Sequence, residues 1–167
     1  MFCATCGQAP PPALPPARPQ VTAGVVLTAL ERIGLPALAV RTQPEDKTLV
    51  NFDTNFFTEP HTFEETVTLL GQAVRVQARP VAYLWHYGDG GTESTAGPGA
   101  PYPRLLVTHR YLLAHRTVRP SVDVSYAARF TVGDGDWQDI TGTVTIAGPG
   151  SDLRISEAAG VLSGDYG

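Results

Sequence analysis

Lysine is nearly missing from this chain: Lys47 is the only one, so the basic charge rests almost wholly on arginine. Twelve basic residues face sixteen acidic ones, for a net charge of -4. No basic stripe is available to neutralise a phosphate backbone, which argues against nucleic acid as a partner. No apolar run approaches the roughly 18 residues that a membrane helix needs. Met1-Phe2-Cys3 leads straight into polar, proline-rich sequence with no apolar core of a secretory leader. Cysteine is confined to Cys3 and Cys6. A C-x-x-C pair can be half a zinc site, a redox pair or a short disulfide loop. Zinc needs four ligands, yet there is no second C-x-x-C and the nearest histidine is His61. Thioredoxin-like chemistry puts the pair at the start of a helix that follows a strand, whereas a proline tract follows this one. The pair is read as part of a tethered tail, with no metal and no cofactor. A G-x-S-x-G nucleophile signature is also missing, and the four histidines lie at strand or loop positions without an acidic pattern around them. No enzyme activity is expected.

Glycine and proline are plentiful, seventeen and fifteen respectively, which points to many turns between short strands and hence to an all-β fold. Residues 10–19 are proline-dense and favour polyproline II, a stiff linker with no core of its own. Residues 21–33 read as a helix, because Val26, Ala29, Leu30 and Ile33 fall on one stripe. Gly34 can cap it and Pro36 forbids continuation. Short strands are expected at 38–42, at 49–52 and around Phe56-Phe57. Residues 66–69 and 74–78 alternate on either side of Leu70-Gly71-Gln72 and predict a β-hairpin ended by Pro80. Residues 91–103 form a long Pro/Gly-rich loop. A strand resumes at 105–111, and a long one at 122–132 with a slip at Ala127-Ala128. Gly133-Asp134-Gly135-Asp136 is a turn, and residues 140–146 and 153–155 supply the closing strands.

The densest local pattern is Tyr83-Leu84-Trp85-His86-Tyr87-Gly88-Asp89-Gly90. Period-two aromatics mark a strand with one buried face, and the Gly-Asp-Gly that ends it permits a sharp turn. Downstream stand His109-Arg110-Tyr111 and then Val122-Asp123-Val124. The three pieces together resemble the PKD (polycystic kidney disease) domain family, with its W-x-F-G-D-G, H-x-Y and V-x-V segments in that order. Tyr87 replaces the usual Phe, and the spacer from Gly91 to Thr108 is long. The arrangement is also similar to PKD-containing surface or secreted proteins of actinobacteria. The resemblance implies an immunoglobulin-like (PKD-type) β-sandwich over residues 61–160, with a helix and N-terminal strands at 21–60 packing on it. A disordered proline-rich tail at 1–20 and a frayed end at 161–167 complete the division. It implies structural roles for Trp85, Tyr87, Gly88, Asp89, Gly90, His109, Tyr111, Val122 and Val124. It also implies an extracellular or cell-surface location, with a leader upstream of Met1 and with Cys3 and Cys6 oxidised.

Two chemical alternatives attach to particular residues. Asp134 and Asp136, with Asp139 nearby, superficially suggest calcium, but a calcium loop needs more carboxylates at fixed spacing, and Asp-Gly is ordinary turn chemistry. Phe57, Tyr102 and Trp137 are candidate exposed aromatics that stack on sugar rings. The leading expectation is a non-catalytic interaction or spacer module with a protein partner; carbohydrate or cell-wall binding through those three aromatics is the alternative.

Overall fold

The structure, a computed structural model, describes Ala17 and residues 19–158. The Cys3/Cys6 pair, most of the proline tract and the 161–167 end lie outside the described residues. One helix and twelve strands follow in chain order: α1 (Ala23–Ile33), β1 (Arg41–Gln43), β2 (Lys47–Leu49), β3 (Thr54–Phe57), β4 (Phe63–Leu69), β5 (Gln72–His86) and β6 (Thr92–Thr95). The second half holds β7 (Thr108–His109), β8 (Arg116–Val118), β9 (Ser121–Val132), β10 (Gln138–Asp139), β11 (Val144–Ala147) and β12 (Leu153–Ser156). The protein is mostly β, with several sheets and one short helix.

Two long antiparallel strands, β5 and β9, form the spine of a six-stranded sheet. β4 and β6 share the far edge of β5, and β10 and β11 share the far edge of β9. The β4–β5 hairpin turns on Leu70 and Gly71, both at positive φ (51° and 76°), the mirror-image turn whose twist suits paired strands. β5 does not stop at Pro80. Its buried positions are Val74, Val76 and Ala78 before the proline, then Tyr83 and Trp85 after it. The change from even to odd positions is a bulge: Pro80 pairs with Tyr126 and Ala82 with Ser125, leaving Val81 over. A residue without an N–H is tolerated in a central strand at such a site. β9 carries no slip at Ala127-Ala128; every even residue from Val122 to Phe130 is buried. The irregularity expected in β9 belongs to its partner.

One face of this sheet is dry. Over it lie α1 and two small sheets, β1-β3-β7 and β2-β12-β8, the second with a parallel β2–β12 pair. Val26 and Leu30 of α1, Phe56 of β3, and Leu153 and Ile155 of β12 join Trp85, Tyr126 and Phe130 in a single hydrophobic core. The helix begins after Thr22 and ends where Gly34, at φ 81°, donates its N–H to the Leu30 carbonyl at 3.0 Å. Ile33 stays exposed and Ala29 is half-buried, so of the anticipated stripe only Val26 and Leu30 are core.

Several short strands are displaced from the positions that periodicity suggests. Leu38 and Val40 are buried in an extended lead-in to β1. β2 ends at Leu49, after which Asn51 turns at φ 57° and Phe52 is exposed. Only Thr108 and His109 of the 105–111 stretch pair as a strand, and Gly142, at φ 95°, lies between β10 and β11.

Candidate functional site

The turn after β5 meets the His109-Arg110-Tyr111 segment, while Val122-Asp123-Val124 pairs with the end of β5 that leads into it. Tyr87 donates its N–H to the Gly91 carbonyl at 3.0 Å and closes the loop over Gly88, Asp89 and Gly90. Gly88 sits at φ 80°, and a Cβ there would lie 2.7 Å from the Arg119 backbone nitrogen. Only glycine meets both conditions. Asp89 accepts the Gly91 N–H on Oδ1 at 3.0 Å, and its Oδ2 lies 2.7 Å from His109 Nε2.

The His109 ring stacks flat on Tyr87, with centroids 4.0 Å apart and planes 5° from parallel. It meets Tyr111 edge-on at 4.8 Å, and Tyr111 in turn donates its hydroxyl to the Tyr87 carbonyl at 2.8 Å. The Tyr87 hydroxyl reaches Glu93 Oε2 at 2.5 Å. Beneath the turn, Trp85 is fully buried, stacks at 6.2 Å on Tyr83, and donates its indole N–H to Thr95 Oγ1 at 2.9 Å. Val122 and Val124 lie opposite Trp85 and Tyr83 in the register, both fully buried.

The electrostatics follow the packing. Burial, then the Glu93 carboxylate, raises the Tyr87 phenol well above its ordinary value. Burial, with Asp89 adding to it, does the same for Tyr111. Burial pushes the Asp89 carboxyl up, but hydrogen bonds from His109 and from backbone N–H groups outweigh it and hold the acid below the ordinary range.

A histidine oriented by an aspartate is also two thirds of a nucleophilic triad, so the third position matters. Here the imidazole bonds Asp89 through Nε2, lies face to face with Tyr87 and meets Tyr111 edge-on. A cleft of about 260 Å3 opens beside it, lined by Asp89, His109, Arg110, Leu112 and Arg116 among others; neither serine nor cysteine contributes to that lining. Arg110 turns away to form a two-pronged pair with Asp53, whose Oδ2 is 2.9 Å from a terminal guanidinium nitrogen. What the arrangement does is clamp two distant segments: the β5 turn, and β7 with the stretch that follows it.

The three candidate aromatics do not form a row. Phe57 is buried, contrary to its proposed role in stacking on a sugar. β3 is the middle strand of its small sheet, and beyond β7 the 98–100 segment packs against its free edge: Phe57 bridges Gly99, and Asn55 Nδ2 donates to the Ala100 carbonyl at 2.8 Å. Tyr102 is exposed on the loop beside it, held through its N–H by Gln43 Oε1. Trp137 lies elsewhere, next to β10, with the Arg129 guanidinium 4.7 Å and the Arg75 guanidinium 6.0 Å from its ring centre.

The Gly133–Asp136 stretch is a hairpin turn. Gly133 has φ 57°, and Thr131 Oγ1 donates to the Gly135 carbonyl at 2.6 Å. Among the described residues no cluster of three or more His, Cys, Asp or Glu is placed to hold a metal ion. His86 is half-buried on the outward face with Nε2 2.9 Å from Asp123 Oδ2. Sequence reasoning did not find Glu93, Asp53 or the arginines around Trp137, since their partners are fixed by strand register. No family model, curated protein or solved structure matches the chain.

Proposed function

We propose that this chain is a non-catalytic interaction or spacer module of the immunoglobulin-like, PKD-type sandwich class, acting at the cell surface or outside the cell through contact with a protein. The observation that carries the reading is where apolar surface is left over. Tyr102, Leu105 and Leu106 precede β7, Leu112 and Leu113 follow it, and each is at least half exposed, up to 76% for Leu112. Single exposed leucines need no explanation, but five large apolar residues on the two loops flanking one two-residue strand mark a contact surface. The clamp at Tyr87, His109 and Tyr111 holds β7, and Gln43 holds the loop before it through the Tyr102 N–H. The PKD assignment is supported by the order of the three segments and by the way the second and third pack against the first, at the turn and along β5.

The test is site-specific photo-crosslinking in intact cells, with the probe at Leu112 and, as control, at the exposed Arg119. A discrete protein adduct at Leu112 only, on chain accessible to a membrane-impermeant label, is the expected result. Identical patterns at both sites, or labelling only after lysis, would refute the proposal.

A further inference from the structure

We infer that the outward face of the six-stranded sheet binds an acidic polysaccharide through Arg75, Arg79 and Arg129, with the Trp137 ring beside them. This goes beyond the protein-contact reading and uses the opposite side of the sheet from the core.

The three arginines converge by register. Arg75 and Arg79 point outward from β5, and Arg129 points outward from β9 opposite Gln77, which lies between them. Ala127, small and opposite Arg79, lets the surface dip into a depression of about 350 Å3 lined by Arg79, Arg129, Ala127, Asp139 and Ile140. Among the described residues, Arg75 and Arg79 make no side-chain hydrogen bond or ion pair. Arg129 uses only Nε, donating to Gln77 Oε1 at 2.7 Å. Two guanidiniums thus share one indole while their forked N–H groups stay free.

The nearby carboxylates include Asp139 on the rim, Asp136 next to Trp137 in sequence, and Glu64, the last already accepting from Gln77 at 3.2 Å. Guanidiniums gathered without carboxylate partners suit a ligand that brings its own oxyanions, carboxylate or sulfate ester.

The face selects a polysaccharide over an acidic peptide. β5 pairs with β9 and, except at residues 79–82, with β4 or β6 on its other edge, and β9 pairs also with β10 and β11, so no long run of free backbone groups remains for an added strand. A peptide would lose its main source of affinity there. A sugar chain needs only what is present: arginine donors for its acids, Asp139 to accept hydroxyls, and a flat ring for its C–H face. Trp137 is 37% exposed and its indole N–H has no partner among the described residues.

Titration calorimetry on the intact chain at low salt decides the matter, with polygalacturonate, dextran sulfate, neutral dextran and polyglutamate as probes. At least one of the two acidic polysaccharides is expected to bind, neutral dextran is not, and added salt should weaken the binding. Arg75→Gln with Arg129→Gln should weaken it about tenfold or more, and Trp137→Ala should weaken it without a change of charge. Arg119→Gln, removing an exposed arginine paired with Asp152, should leave it within about twofold. Arg79→Gln removes a side chain with no recorded partner and keeps the test valid if the double variant fails to fold. No binding to either acidic polysaccharide overturns the inference. So does an equal loss on Arg119→Gln, or polyglutamate binding as tightly with Trp137→Ala having no effect.

Discussion

Replacing Trp85 by alanine should remove a large part of the stability of the domain. The indole is fully buried where β5 faces β9, stacked on Tyr83 and opposite Val122. Its N–H donates to Thr95 Oγ1 at 2.9 Å, and that hydroxyl itself donates to the Gly97 carbonyl at 2.7 Å. Loss of the indole therefore strands no buried donor on Thr95, and the penalty is one of cavity and lost contact. For a fully buried tryptophan this is about 3–5 kcal/mol, against a total stability of about 5–15 kcal/mol. The hydrogen bond accounts for about 1 kcal/mol of it. Trp85→Phe, which keeps most of the buried ring, should cost only about 1–2 kcal/mol. Guanidinium unfolding followed by far-UV circular dichroism is the suitable assay, because the variant retains only Trp137 as an indole fluorophore. The midpoint should fall with little change in slope, and Tm should drop by about 10–15 °C. A Trp85→Ala protein within about 1 kcal/mol of the parent at unchanged slope would refute the account of the core.

The turn and its pH dependence give three further tests. Gly88→Ala meets both a left-handed backbone and the Arg119 nitrogen, whereas Gly90→Ala, at φ 101°, meets open space; both should destabilise, Gly88→Ala by about 1 kcal/mol or more beyond Gly90→Ala in parallel melts. Tyr111→Phe leaves the Tyr87 carbonyl without its buried donor and should cost about 1–3 kcal/mol by chemical denaturation; a loss under about 0.5 kcal/mol would show that water replaces the hydroxyl. Asp89 titrates below its ordinary value of 3.8 in the folded chain, so its stabilisation is complete above that value and is lost as pH falls through the lower folded one; Tyr87 and Tyr111, raised above 10.0, lose theirs as pH climbs past 10. Asp89→Asn should flatten the acid limb of a stability–pH profile and leave the alkaline limb in place.

The parts of the fold that were legible are those written in consecutive residues. The β4–β5 hairpin follows from alternation on both sides of Leu70-Gly71, and the long β9 follows from Val122 to Val132. Boundaries set by distant partners were not. Pro80 reads locally as a strand end, since proline donates no N–H. Only the pairing of Pro80 with Tyr126 and of Ala82 with Ser125 shows that a bulge carries β5 through it. The same bulge explains the misplaced slip: an offset between two strands can be ascribed to either until the register is known. Phe57 failed as an exposed aromatic for a related reason. An alternating strand shows which residues share a face, while the packing around Phe57 includes Gly99 and Ala100 at the strand edge, more than forty residues away in sequence.

The same limit separates the two surfaces. Trp85, Tyr87, Asp89, His109 and Tyr111 could each be picked out in sequence because each sits in a compact pattern. Their patterns named the participants without the contacts. That His109 lies flat on Tyr87 and reaches Asp89 depends on β7 pairing with β3 through Thr54 and His109. The outward arginines carry no pattern at all. Arg75 and Arg79 lie about fifty residues from Arg129, and each alone is an ordinary polar position on a half-exposed strand. Only the β5–β9 register, with Gln77 facing Arg129, turns three unremarkable residues into one charged field. Motif-bearing residues here spend their polar groups on one another, and pattern-free ones keep theirs free. Ligand chemistry should therefore be sought on the sheet face that the motif does not mark.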